Sequence, residues 1–194
     1  MDLKTITTDV PLAATVAEFE SHLNFEDGHP DTNAFLESFI RAAQLRVERD
    51  TGRALTHADY LLTLDGLPNF IALPRDPVVS VASVQYLDAD WVWQTLASDQ
   101  YFISGLGSDV GVAIIPSQNV TWPTVGFANA SVRITFNAGY GADAASVPAD
   151  LKGAVLMLAA HLYENREASI IGMAANEMPM GVSDTISNYR TRWF

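Results

Sequence analysis

The sequence predicts an α+β protein, a helical bundle of three or more helices with an inserted small antiparallel β module and an extended C-terminal tail. Two observations predict this class. Apolar residues recur at helical spacing near both ends of the chain, whereas short β-branched and aromatic runs separated by turn residues fill the middle. With 194 residues and 48% hydrophobic content, the chain can bury a sizeable core, which excludes a disordered protein.

Two helices are predicted before the β module. Thr15 and Glu18 have the spacing of a capping box, which predicts a short helix that ends near Leu23. A longer helix is predicted over residues 31–50, with Asp31 or Thr32 as its N-cap and Gly52 as its stop. Its apolar stripe consists of Phe35, Leu36, Phe39, Ile40, Ala43 and Val47. Its opposite face is typical of a solvated surface, with contact to another subunit as the alternative, and carries Glu37, Arg41, Gln44, Arg46 and Arg49.

The middle of the chain predicts about six to eight short strands. Residues 60–64 and 70–73 flank a turn at 66–69. Residues 78–87 and 91–93 are expected to form a hairpin. Its turn contains Asp88 and Asp90, because aspartate bonds its own backbone in turns.

The last predicted helix runs from Pro148 to about Glu167, since proline is favoured at a helix start. Its inward stripe consists of Leu151, Val155, Leu158, Ala159 and Leu162. Leu156 and Tyr163 widen this stripe beyond what one neighbouring element covers. The helix is therefore expected to be central in the bundle or shared with another subunit.

Four segments follow from these patterns. Residues 1–53 are expected to form the N-terminal helices and 54–146 the β module inserted in the helical domain. Residues 147–175 complete the helical domain with its C-terminal helix, and 176–194 form a docking tail.

The charge of the chain argues against nucleic-acid binding. Its 23 acidic and 11 basic residues give a formal net charge of −12, which repels phosphate groups. Such a surface suits a conduit that lets DNA pass without sequence-specific binding. The chain has no cysteine, and neither a signal peptide nor a membrane span is indicated.

No catalytic or metal-binding constellation is evident in the sequence. The four histidines lie far apart, and only His161 has a carboxylate one helical turn away, at Glu164. A metal site needs three or four converging ligands, which this spacing does not supply. We therefore expect no cofactor, no metal and no enzyme activity; an enzyme that uses His161 and nearby carboxylates is a minor alternative.

Two groups of aromatic residues suggest two different binding functions. Trp91, Trp93 and Trp122 suggest, as an alternative function, a carbohydrate- or ligand-binding β module, although strand tryptophans more often cover a sheet face. The C-terminal tail favours docking to a protein partner instead. It combines the residue types that dominate interface hot spots: Tyr189, Arg190, Arg192, Trp193 and Phe194.

Eight motifs follow one another along the chain, at residues 35–55 (ending AAQLRVERDTGRAL), 62–66 (LTLDG), 73–81 (LPRDPVVSV), 84–90 (VQYLDAD), 136–141 (FNAGYG), 147–152 (VPADLK), 161–167 (HLYENRE) and 178–182 (MPMGV). In this order they resemble the tailed-phage head–tail connector family, also called adaptor or head-completion proteins. The resemblance covers nearly the whole chain from about Ala14.

The resemblance implies a structural virion protein of a phage, a prophage or a gene transfer agent. Such a protein forms a ring, usually a dodecamer, beneath the portal and extends the DNA channel toward a stopper or tail-terminator protein. The implied location is the head–tail junction of the particle, reached from the bacterial cytoplasm during assembly. The C-terminal segment would bind the portal protein.

A closed ring needs two different faces of each subunit to meet. The residues we assign to this ring interface are Leu156, Tyr163, Arg41 and Arg49. We hypothesise that the isolated chain is a monomer whose tail becomes ordered only on the portal.

Overall fold

The computed structural model describes residues 1–25, 30–108, 111–126, 129–165 and 180–190. It confirms the α+β class. Its four α-helices are α1 (Val16–His22), α2 (Asn33–Thr51), α3 (Ala149–Glu164) and α4 (Met180–Tyr189). Its eight strands are β1 (Asp2–Thr5), β2 (Ala58–Leu64), β3 (Ile71–Ala72), β4 (Val78–Leu87), β5 (Trp93–Thr95), β6 (Tyr101–Ser104), β7 (Ala113–Pro116) and β8 (Val132–Ala138).

The described residues divide into two compact units. A β unit consists of residues 1–10 and 57–139, and a helical unit consists of residues 11–56 and 140–190. The helical unit is therefore assembled from two segments separated in the sequence by most of the β unit. Strand β1, which the sequence analysis did not predict, gives the β unit its N-terminal strand.

The β unit contains two antiparallel sheets. The larger has the order β1-β2-β8-β4-β5, and the smaller has the order β3-β7-β6. Strand β8 alternates buried and more exposed positions, because successive side chains of a strand point to opposite faces. In the register of β2 and β8, Tyr60 lies opposite Phe136, and their rings stack with centroids 5.5 Å apart.

One hairpin prediction is confirmed, and another strand arrangement differs. Strands β4 and β5 pair around the turn that contains Asp88, although β5 begins at Trp93 and not at residue 91 as predicted. Strands β2 and β3 flank the turn at 66–69 but belong to different sheets. Strand β3 pairs with β7 and not with its sequence neighbour, because the short apolar run carries no information about its partner.

The helix boundaries follow the predicted caps. Glu18 N–H donates to Thr15 Oγ1 at 3.2 Å, and Thr15 N–H donates to Glu18 Oε2 at 2.7 Å, which completes the capping box before α1. Thr32 caps α2 at its start, and the C-cap residue Gly52 has the left-handed conformation (φ 76°) that favours glycine. Pro148 occupies the N-cap position of α3, which ends at Glu164 and so before the predicted end near Glu167.

The core of the helical unit is apolar and draws on all four helices. Fully or nearly fully buried side chains include Phe19, Leu36, Ile40, Val47, Leu151, Val155, Val182 and Ile186. Five residues of the predicted α2 stripe are buried in this core or packed against it, whereas Phe35 is 37% exposed. One residue assigned to the solvated face of α2 is buried instead. Gln44 is only 2% exposed, because its amide binds groups from other segments of the helical unit.

Candidate functional site

Helix α4 is docked on the helical unit. It lies within the segment for which the sequence indicated an extended tail, and it was not predicted as a helix. Val182 is fully buried and Ile186 is 4% exposed, so one face of α4 belongs to the core. Helical spacing of four residues puts both side chains on that face.

The C-terminal end of α4 is bound by Arg53. The Nε of Arg53 donates to the carbonyl oxygen of Tyr189 at 2.7 Å, and its Nη1 donates to the hydroxyl of Tyr140 at 2.9 Å. The guanidinium carbon also lies 5.4 Å from the centroid of the Tyr189 ring. Arg53 is 8% exposed and is therefore a buried cation with directed partners.

Tyr189 is also fixed through its hydroxyl group. Its hydrogen bond with the Asp150 carboxylate, together with partial burial, raises the pKa of Tyr189 to about 12. The nearby charge of Arg53 acts in the opposite direction but does not outweigh the carboxylate. The phenol therefore stays protonated at neutral pH and links α4 to the first turn of α3.

Of the five residues assigned to portal docking, the structure describes two. Tyr189 is half-buried within the helical unit, whereas Arg190 is exposed and its Nε donates to the carbonyl oxygen of Asp50 at 3.2 Å. Arg192, Trp193 and Phe194 lie outside the described residues.

The residues assigned to the ring interface lie on two helices. On α3, Leu156 is half-buried, and Tyr163 packs edge-on against Phe19, Phe25 and Phe39. The hydroxyl of Tyr163 also donates to Asp31, so this tyrosine has partners inside the helical unit. On α2, Arg41 is half-buried and Arg49 is exposed.

The exposed face of α2 contains one residue that the sequence analysis missed. Leu45 is 60% exposed and lies four residues from both Arg41 and Arg49, so the three side chains share one helix face. We call them the α2 stripe. A leucine between two arginines at this spacing was visible in the sequence as an apolar residue outside the core periodicity.

The tryptophans of the β unit have different surroundings. Trp93 packs under the guanidinium of Arg133, 4.0 Å from the ring centroid, and the indole of Trp122 donates to the carbonyl oxygen of Pro68 at 3.0 Å. Trp91 is 66% exposed and has a positive φ of 62°, which is rare for a bulky residue. Two of the three are therefore held by other residues of the β unit.

The turn that carries Trp91 is organised by Asp88. Oδ2 of Asp88 accepts a hydrogen bond from the Gln94 side chain at 2.8 Å, and Oδ1 accepts from the N–H groups of Val92 and Asp90 at 2.9 and 3.0 Å. These hydrogen bonds, led by that from Gln94, lower the pKa of Asp88. The predicted turn role of this aspartate is confirmed.

The described residues contain no cluster of three or more histidine or acidic side chains that could hold a metal. The ring of His161 lies near Asn165, whose side-chain nitrogen is 3.3 Å from Nδ1. Among the helices within the described ranges, none has both the length and the apolar character needed to cross a membrane.

Comparisons with known proteins agree on one family. The model of the phage gp6-like head–tail connector proteins matches residues 125–190, which include β8, α3 and α4. A chain from the neck of an empty gene transfer agent (GTA) particle, computed with C6 symmetry, is 31% identical with a TM-score of 0.79. The match covers 100% of this chain and 97% of that chain. This chain belongs to the head–tail connector family.

Two further structures support the assignment. A chain of the virion of a native GTA particle is 32% identical (TM-score 0.79), and one from the neck of a native GTA particle computed with C12 symmetry is 31% identical (TM-score 0.76). Each match covers 100% of this chain and 97% of the other. No curated protein matches the sequence significantly.

Membership in the connector family settles the class of function. The chain is a structural virion protein of the head–tail junction and not an enzyme. The connector family was already indicated by the order of motifs in the sequence.

Proposed function

We propose that this connector forms a ring beneath the portal protein, extends the DNA channel, and offers its other side to a stopper or tail-terminator protein. The observation that carries the proposal is the full-length similarity to chains from GTA necks, whose structures were computed with sixfold or twelvefold symmetry. Cyclic symmetry of this kind requires a head-to-tail interface between copies.

The charge of the chain supports a channel role. A formal net charge of −12 disfavours adhesion of DNA, because contact with phosphates would bring like charges together. DNA would therefore pass the ring without being retained and without sequence-specific contacts.

The α2 stripe supports one face of the ring interface. Leu45 supplies exposed apolar area between Arg41 and Arg49, and the rest of this acidic chain offers many carboxylates as partners. An apolar centre with a charged rim is the usual anatomy of a protein interface. Leu156 and Tyr163 of α3 complete the proposed set.

The C-terminal residues support portal docking. Helix α4 is anchored in the helical unit, so the docking role falls on exposed Arg190 and on the chain after it, with Arg192, Trp193 and Phe194. Tyr189 contributes by anchoring the end of α4.

Deletion of residues 191–194 tests the docking role and leaves α4 intact. We expect the truncated chain to fold normally but to fail to co-sediment with portal-bearing capsids that lack the connector. Tailed particles, counted by electron microscopy, should fall by at least tenfold. Normal numbers of tailed particles from the truncated chain would contradict the proposal.

Charge reversal in the α2 stripe tests the ring. Leu45→Asp combined with Arg49→Glu should prevent twelvefold or sixfold rings in assembled necks, because the stripe would then repel an acidic neighbour. Arg46→Glu changes an exposed charge of the same helix outside the stripe and serves as the control. Intact rings from the double variant would exclude the stripe from the interface.

A further inference from the structure

The C-terminal ends of α2 and α4 are capped by each other's arginines. Arg53, two residues beyond the end of α2, donates from Nε to the carbonyl oxygen of Tyr189, the last residue of α4, at 2.7 Å. Arg190, the first residue beyond α4, donates from Nε to the carbonyl oxygen of Asp50 in the last turn of α2, at 3.2 Å. We call this pair of contacts the arginine clasp.

The clasp neutralises the partial negative charges at the C-terminal ends of α2 and α4. The last carbonyl groups of a helix lack intrahelical partners, and the C-terminal end carries a partial negative charge. Two such ends close together repel each other unless cations lie between them. In the clasp each helix end receives a guanidinium from the chain that follows the other helix.

The two arginines differ in burial, and this difference gives them different roles. Arg53 is 8% exposed and has further directed contacts with the Tyr140 hydroxyl and the Tyr189 ring. A planar guanidinium can serve two acceptors and a ring at fixed angles, whereas a lysine ammonium cannot reproduce this geometry. Arg190 is exposed and makes the weaker contact.

Helix α4 is thus fixed both along its length and at its end. Val182 and Ile186 bury its apolar face, and the clasp holds its last residue. The chain beyond Arg190 begins at a point that is set by contacts within the helical unit.

We propose that the arginine clasp positions the start of the C-terminal docking segment before any partner binds, with Arg53 as the positioning residue. This inference rests on the proposed docking function of residues 191–194. For residues 180–190 it takes the place of the hypothesis that the tail becomes ordered only on the portal.

Hydrogen exchange of the full-length chain tests the clasp without any partner. Arg53→Lys keeps the charge but loses the geometry, and we expect amides of α4 to exchange about tenfold faster or more, since hydrogen bonds of charged groups are strong. Amides of α3 should not change. Arg190→Ala, at an exposed position that does not threaten folding, should give a smaller increase confined to the last turn of α4.

The matched control is Arg49→Ala. Arg49 is an exposed arginine of α2. The ion pair described for its side chain is with the neighbouring Asp50 carboxylate, at 3.5 Å. This substitution should leave exchange in α4 unchanged. Unchanged α4 exchange in both Arg53→Lys and Arg190→Ala would overturn the clasp.

Capsid binding separates the clasp from the docking function. If the proposals for the clasp and for docking both hold, Arg53→Lys reduces co-sedimentation with portal-bearing capsids about tenfold or more. Deletion of residues 191–194 then has the same effect. If the deletion leaves binding intact, the docking function is wrong, while hydrogen exchange still decides whether the clasp orders α4. If the deletion abolishes binding but Arg53→Lys, with α4 released, binds normally, the positioning role of Arg53 is overturned.

Discussion

The helical unit and the β unit use polar side chains in different ways. In the helical unit, buried polar groups join distant segments: Gln44 accepts from Ala13 N–H at 2.9 Å and donates to the carbonyl oxygen of Pro11 at 3.2 Å. In the β unit, backbone ladders join the strands, and most of the described side-chain hydrogen bonds are exposed to solvent, both within turns, as at Asp88, and between segments, as from Trp122 to Pro68.

This difference has a consequence for stability. Loss of one buried polar residue in the helical unit leaves several segments without partners at once. Loss of a polar residue in a turn of the β unit affects only that turn, because water replaces the hydrogen bond. The β unit should depend on its apolar side chains instead.

The largest expected effect is in the core of the β unit. Phe136 is fully buried and stacks on Tyr60, so Phe136→Ala should lower the free energy of unfolding by about 3–5 kcal/mol. Phe102→Ala, at a side chain that is 58% exposed, should change it by less than about 0.5 kcal/mol. Chemical denaturation followed by circular dichroism measures both, and equal effects would show that apolar burial does not govern the β unit.

The same substitution at one glutamine of each unit compares the contribution of their polar contacts to stability. Gln44→Leu leaves the N–H of Ala13 and the Glu48 carboxylate without their amide partner, at a cost of about 2–3 kcal/mol. Gln94→Leu removes the exposed hydrogen bond to Asp88 and should cost less than about 1 kcal/mol. The same denaturation measurement applies, and a larger loss for Gln94→Leu would reverse the comparison.

Replacing one glycine in each unit by alanine tests how much space the backbone of that unit leaves for a side chain. A Cβ on Gly126 would lie 2.5 Å from the carbonyl oxygen of Asp88, so Gly126→Ala should destabilise the β unit by about 1–2 kcal/mol. Gly153 lies inside α3 with nothing within 4 Å of an added Cβ, so Gly153→Ala should stabilise the helical unit by about 1 kcal/mol. Shifts of the melting temperature in opposite directions are expected, and shifts of equal sign would contradict this pair.

The smallest effect is a surface ion pair of the helical unit. Partial burial acts to raise the pKa of Glu18, but hydrogen bonds from Lys152 and Thr15 outweigh it and lower the pKa below its usual 4.5. Its stabilisation is therefore fully present above pH 4.5 and is lost as the pH falls through the lowered pKa.

Exposure of this pair limits the gain to less than about 1 kcal/mol. Glu18→Gln should reduce the acid dependence of the melting temperature, and Glu164→Gln, at an exposed position, is the control. An unchanged acid dependence in Glu18→Gln would show that the ion pair between Glu18 and Lys152 does not contribute to stability.

Local sequence signals predicted most of the regular structure. The capping box at Thr15, the N-cap Thr32 and the stop at Gly52 gave the ends of α1 and α2, because these signals act within a few residues. The turn at Asp88 was predictable for the same reason. The connector family, too, was indicated by motifs that can be read along the chain.

The burial of Gln44 and the clasp at Arg53 were not predictable in this way. Gln44 has a polar side chain on the charged side of α2, and its burial depends on Pro11 and Ala13, more than thirty residues away. The partner of Arg53 is Tyr189, 136 residues along the chain. The pairing of β3 with β7 rather than β2 has the same origin.

The sequence by itself determined the α+β class, the main helix ends, the acidic character and the connector family. The tertiary structure alone decided which polar residues are buried, which strands pair, and that α4 is held by Arg53. The reason is physical: capping and turn formation depend on groups a few residues apart. Burial and long-range hydrogen bonds depend on which distant segments the fold brings together.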